Sequence, residues 1–365
     1  MVALPLFLRL DGNVDPRFSK DFFFSFAAIL AVVLFGIKKK PDVKTTIFAA
    51  YFLIICYVNQ YHQASITISY QMSMITAGIL VVFQAAQITK YNIILNGISL
   101  VCIIQALCFI AQKFGYSPNA LIFDVLGVSY KQITKVNGVV TAQPVQLIVG
   151  SLGQQTLSGA LIAISLPSLF RKGWYYFIPL SVIGIYLSTS SMSLATAVFI
   201  TGAYVFRNYF KYYLIAMVGL VAALIPLMQK DTFIYNGERF KIWVEALKWL
   251  DGINIMFGKG LGYFHDFFSR THTSNEIFRQ AHNEFIDLYI IGGAFALCVF
   301  GCYLYSVGRD FRRDTTKTPF YLIFFASLFN SLGSFPYHIS ATALVGLLSL
   351  GIIIKQEKEN GIFIK

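Results

Sequence analysis

Charge is scarce in this chain. Of 365 residues, 13% are Asp, Glu, Lys or Arg, where an average soluble domain carries about 25%. Acids are scarcer than bases, 17 against 29, which leaves a net charge of +12. Cysteine is sparse too. Cys56, Cys102, Cys108, Cys298 and Cys302 all fall in apolar runs, where none is placed for an exposed disulfide framework or a zinc site. Cys298 and Cys302 share a helix face and read as buried packing thiols. The opening residues have no basic start and small-residue cleavage site of the kind that marks a signal peptide. No Gly-rich segment ends in Gly-Lys-Ser/Thr, so the glycines of Phe257–Phe264, FGKGLGYF, read as a flexible turn and not as a phosphate loop. His265, His272 and His282 match no compact metal-ligand spacing. Strands of ~10 alternating residues, the mark of a transmembrane barrel, are missing. Charge inside the apolar runs is nearly absent and no internal repeat is visible, which argues against a transporter or flippase.

What is there is apolar. Hydrophobic residues make up 56% of the chain and the mean hydropathy is +0.65. Runs approach the ~20 residues a helix needs to cross a bilayer. The expectation is an all-α polytopic bundle, a single membrane domain over residues 1–365. Eleven spans are read, at 21–37, 45–58, 67–88, 92–112, 146–170, 174–187, 192–206, 212–228, 285–307, 320–335 and 339–354. Alternate short connections carry Lys38, Lys39, Lys40 and Lys44; Lys90; Arg171 and Lys172; Arg207 and Lys211; then Arg309, Arg312, Arg313 and Lys317. The opposite ones, NQYHQ, STSS and SFPYH, have neither Lys nor Arg, so positive-inside bias accounts for nearly all the net charge. A nucleic-acid partner is not needed to explain it.

Residues 236–293 are the stretch around which the rest is organised. They form the longest polar segment, hold three of the five histidines, and lie largely within an outer loop over 229–283. Connections of that size are usually functional or disordered, and the loop's tryptophans and phenylalanines argue against disorder. Within it, residues 238–250 place Phe240, Trp243, Val244, Leu247 and Leu250 at helical spacing, which predicts an amphipathic helix lying at an interface. Arg239 and Lys248 ride its polar flank, where a solvated surface helix is the plainer reading. His282, Asn283 and Glu284 sit where the loop becomes a helix, with Asp287 one turn on. Asn283 suits the cap of that helix, and His282 suits a general base, although a lone loop histidine is more often a structural or solvated group than a catalytic one. Gln154 and Gln155, in GSLGQQTLSGALIA, are polar within an apolar run and belong in a bundle interior. The small residues around them suit close helix packing.

Over residues 145–305 these stretches resemble the O-antigen ligase and polymerase superfamily of bacterial envelope glycosyltransferases. GSLGQQTLSGALIA is similar to its Gly-x-x-Gly-Gln/Asn span, ERFKIWVEAL…FGKGLGYF to the opening of its large loop, and AHNEFIDLYIIGG to that loop's close. The chain departs at STSSMSLATA, where Met192 stands at a position the family often gives to arginine. The resemblance implies about twelve spans, one more than is read here, with amphipathic helices in a large periplasmic loop. It also implies a multi-pass place in the bacterial inner membrane, the active site facing the periplasm. The implied activity is polymerisation of undecaprenyl-diphosphate-linked oligosaccharide repeats into O-antigen or a related surface polysaccharide. The alternative is ligation of the finished glycan to lipid A-core or to a protein. The implied enzyme is a glycosyltransferase needing neither metal nor cofactor. Its partners would be the lipid-linked glycan, membrane lipid and a chain-length regulator. Arg239 and His282 would be catalytic. Lys241, Arg270, Arg279, Asn283, Glu284, Gln154 and Gln155 would bind substrate. The guanidinium would stabilise the diphosphate leaving group and the imidazole would take the acceptor proton.

Overall fold

The computed structural model describes residues 16–37, 42–58, 65–116, 132–136, 139–143, 155–210, 212–213, 215–216, 237–264, 281, 283–309, 311, 316–334, 336–338 and 340–355. Twelve helices and one hairpin lie among them. In chain order they are α1 (Pro16–Phe35), α2 (Val43–Val58), α3 (Ser65–Ala85), α4 (Tyr91–Lys113), β1 (Gln132–Val136), β2 (Val139–Gln143), α5 (Gln155–Ser165), α6 (Ile178–Leu187), α7 (Ser191–Val205), α8 (Gly237–Lys248), α9 (Asn254–Phe257), α10 (Glu284–Gly308), α11 (Thr318–Asn330) and α12 (Ser340–Ile353). The antiparallel β1–β2 pair closes from Val136 opposite Val139, so the two residues between the strands are Asn137 and Gly138, a strong hairpin signal.

The main core forms where α5, α7, α11 and α12 meet α4 and α6. Its largest fully buried side chains include Phe109, Leu161, Ile164, Ile200 and Phe320. Helices come close where residues are small. A Cβ on Gly184 of α6 would meet the Ala106 backbone of α4 at 2.8 Å, so the side-chain-free position allows that crossing. A second layer places α1 on α3 and α3 on α12 around Ala77, Val81 and Leu348.

The eleven-span expectation is corrected here. Among the described residues two helices combine the length and hydropathy needed to cross a membrane, Tyr91–Lys113 and Glu284–Gly308. The other apolar helices are shorter stretches of 10–17 residues, such as Ser191–Val205 and Thr318–Asn330. A 15-residue helix is about 22 Å long, short of a ~30 Å hydrocarbon core. Apolar run length overstated helix length. The run at 146–170 holds only an 11-residue described helix, which passes into a 3-10 turn at Leu166–Leu169. The run at 174–187 opens as a 3-10 turn before ten residues of α6. Helices α1 and α3 reach 20 and 21 residues in all. The run at 212–228 lies almost wholly outside the described residues. A multi-pass inner-membrane location with a periplasm-facing site loses its basis with the span count.

Two smaller expectations also change. Cys298 and Cys302 are exposed, whereas Cys56, Cys102 and Cys108 are buried. On α8 the buried face is Ala246 with half-buried Trp243, and Leu250 just past the helix end is buried too, while Val244 and Leu247 are exposed. The Trp243 indole N–H donates to the Ala281 carbonyl at 2.7 Å, and Ala246 packs with Tyr263 and Phe264. Those tertiary contacts rotate the helix away from its most apolar stripe.

Candidate functional site

Helix α10 is two helices. Gly293 within it has φ +67° and ψ −167°, a conformation open to glycine and to few other residues. The break lets another backbone through. A Cβ on Gly293 would collide with the Met256 carbonyl, and one on Gly258 would strike the peptide joining Ile291 to Gly292. The break takes away the helical partner of the Ile290 carbonyl. The Lys259 N–H donates to it at 2.7 Å instead, in keeping with the rule that buried backbone groups find partners. The alternate glycines of FGKGLGYF therefore form a crossing. Gly258, Gly260 and Gly262 all have positive φ. Lys259 is further tied to Asp251 at 3.2 Å and lies over the Tyr263 ring at 5.3 Å. The hydrogen bond from Lys259 holds the Asp251 carboxyl below its ordinary range. Burial alone would lower Lys259, but Asp251 and Tyr263 outweigh it and hold the ammonium above its usual value.

The crossing fixes the first two turns of α10, and these carry the polar groups of the site. Asn283 caps the helix. Its Oδ1 accepts from the N–H groups of Phe285 and Ile286 at 3.0 and 3.2 Å, and its Nδ2 donates to the Leu332 carbonyl at 2.8 Å. The Glu284 N–H donates to the Ser331 carbonyl at 3.1 Å. Glu284 Oε1 accepts from the Tyr337 N–H at 2.9 Å. Asp287, 7% exposed, accepts from the Ala281 N–H at 2.9 Å. The Tyr337 hydroxyl shares a 2.6 Å hydrogen bond with Ser327, and burial pushes its pKa well up, so it stays protonated.

These residues border a cavity of about 260 Å³ between α2, α3, α10, α11 and α12. Glu284, Asp287, Ser331 and Tyr337 lie on it, and most of its wall is apolar, with Phe48, Phe52, Ile75, Ile79, Phe300 and Leu347 among the lining. Thr45 and Tyr303, hydrogen-bonded at 3.1 Å, are further polar lining residues. Gln71 also lines it, and its Oε1 is a buried acceptor with no hydrogen-bond partner. A buried acceptor left unmet costs about 1–3 kcal/mol, so the cavity suits a ligand with a long apolar body and hydrogen-bond donors near its head.

Of the residues the sequence singled out, Glu284 and Asp287 line this cavity, and Asn283 caps the helix that carries them. Arg239 and Lys241 fall on α8, with side chains outside the description. Trp243, one turn beyond Arg239, ties α8 to residue 281. Gln155 opens α5, its side chain likewise undescribed. Gln154, Arg270, Arg279 and His282 lie outside the described residues. Gln71 and Tyr337 were missed. Gln71 gives the same signal as Gln154, a polar residue in an apolar run, whereas nothing near Tyr337 marks it. Among the described residues no three His, Cys, Asp or Glu side chains gather as a metal site.

No protein-family model matches the chain, and no curated protein matches it. The resemblance to the O-antigen ligase and polymerase superfamily is therefore corrected. Its motifs are short and common in apolar chains, and the many-span architecture that would have bound them together is not found among the described residues. The polymerase and ligase readings fall with it.

Proposed function

We propose that the cavity binds the apolar chain of a polyprenyl-linked substrate, and that the protein is a metal-independent glycosyltransferase using a polyprenyl-diphosphate-linked glycan as donor. The observation that carries this reading is the cavity itself, apolar along most of its wall; the acceptors at the first turns of α10 and at Gln71 suit the hydroxyl donors of the glycan and not the diphosphate, which is left to the cations named below. Ligand sites commonly have this make-up, mostly apolar with a few placed polar groups. In the reaction an acceptor hydroxyl attacks the anomeric carbon and a new C–O bond forms. The bond to diphosphate breaks, and its electron pair leaves with the diphosphate. The hydroxyl proton passes to a base, for which His282 is the candidate, with Asn283 or Glu284, the next residues in sequence, to steady it. Arg239 is the candidate for steadying the leaving diphosphate, with Lys241, Arg270 and Arg279 as further cations. Because the donor bond is already activated, positioning and charge stabilisation supply the catalysis.

The test is to incubate the full chain in detergent with a polyprenyl-diphosphate-linked oligosaccharide and follow release of polyprenyl diphosphate. Release that persists in chelator, and falls at least a hundredfold in Arg239→Ala and His282→Ala, is the expected result. No release from any donor would overturn the enzyme. Release unchanged in both variants would overturn the assigned residues.

A further inference from the structure

We propose that the turn Arg171–Trp174 binds the phosphate of an anionic lipid headgroup, with the aromatic residues after it seated at the lipid surface. The turn is built to hold a guanidinium still. The Trp174 N–H donates to the Arg171 carbonyl at 3.1 Å, and Gly173 has φ +88°, the positive angle a type II turn requires at its third position. Arg171 Nε donates to the Ser168 carbonyl at 2.9 Å and Nη2 to Ser99 Oγ at 3.0 Å. Its Cζ lies 4.9 Å from the Trp174 ring centroid, within cation–π range. Ser99 and Ser168 are fully buried, whereas Arg171 keeps partial exposure and Lys172 beside it is exposed. A guanidinium fixed by two neutral partners keeps its whole charge and has little conformational freedom left to lose, which favours phosphate recognition.

The surroundings decide between sources of phosphate. Tyr175, Tyr176 and Phe177 follow the turn directly, at 46%, 70% and 39% exposure. Phe170 packs against Tyr204 of α7 with the rings tilted and their centroids 4.9 Å apart, and Tyr204, Phe206 and Tyr209 continue the exposed aromatic band. Rings with an apolar body and polar tip favour the membrane–water boundary. The band lies at the end of the bundle where Arg207 donates to Thr318, Lys317 to the Lys355 carbonyl and Lys355 to the Ile88 carbonyl. Lys90 is exposed there as well. Asp42, a described acid at this end, is engaged by Thr45 at the start of α2. Cations backed by exposed aromatics match an anionic lipid surface better than a nucleic acid or a free ion, neither of which would cover the apolar band.

The experiment measures thermal stabilisation of the full chain in a neutral detergent, at low and at high salt. The probes are dihexanoyl phosphatidylglycerol, dihexanoyl phosphatidylcholine, inorganic phosphate and a short RNA duplex. Phosphatidylglycerol should stabilise most, less so at high salt. Lys172→Gln should weaken its apparent affinity about fivefold, the effect of one cation near an anionic lipid surface. Arg171→Gln should weaken it more. Lys172 is exposed, so its variant keeps the result readable if Arg171→Gln fails to fold. Equal effects of the two lipids, an equal effect of inorganic phosphate, preference for RNA, or an unchanged response in Lys172→Gln would each overturn the proposal.

Discussion

Asn283 does two jobs with one amide. It caps α10 and ties that helix to the Leu332 carbonyl. Asn283→Ala should cost about 2 kcal/mol in denaturant unfolding, at the upper end for a lost cap; a cost below about 0.5 kcal/mol would mean the cap is dispensable. Its capping role was legible in the sequence, because Asn before an apolar run is a common helix start. The second bond was not, since it joins residues 49 apart. Glu284 was legible as a polar residue at the same junction, but its hold on the Tyr337 backbone depends on a turn after α11. Asp251 offers a pH test at this scale. Its folded carboxyl lies below the ordinary value of about 3.9, so its contribution is whole above that value and disappears as pH falls through the folded one. The melting-temperature difference between wild type and Lys259→Ala should hold steady from pH 7 to pH 5 and shrink below about pH 4. A difference that grows in acid would contradict the pair's assignment.

At the scale of elements, the crossing of the Gly258–Gly262 segment over the broken α10 matters most to the site. Gly293→Ala puts a side chain into a left-handed conformation and against the Met256 carbonyl. It should destabilise by about 3 kcal/mol or more and displace the first turns of α10 from the cavity. Gly301→Ala, in the same helix with open space around it, should be neutral or slightly stabilising, and unfolding of the two variants side by side checks this. The sequence showed helices α4, α7, α11 and α12 within a few residues, because their apolar runs end at turns. It hid the break in α10, because Gly292-Gly293 inside an apolar run looks the same whether the helix continues or stops. It misjudged the buried face of α8 because the Trp243 bond to Ala281, and not hydropathy, decides the rotation.

For the whole molecule, an apolar composition was legible and its meaning was overread. Run length counts 3-10 turns and helix ends together with helix, so eleven runs became eleven spans where two described helices have the length and hydropathy to cross. The cavity was invisible, since five helices distant in sequence enclose it. If it is a binding space, a larger side chain should fill it at little cost. Ile75→Trp, pointed at that volume, should lose less than about 1 kcal/mol, whereas a packed core would lose about 1–3 kcal/mol.

The same variant gives the most direct test of the central claim. Native mass spectrometry of the detergent-released full chain with a polyprenyl phosphate should show one bound lipid on wild type and at least a tenfold loss in Ile75→Trp, at matched melting temperatures. Retained binding in Ile75→Trp, or equal competition by a phosphate without an apolar tail, would contradict the account.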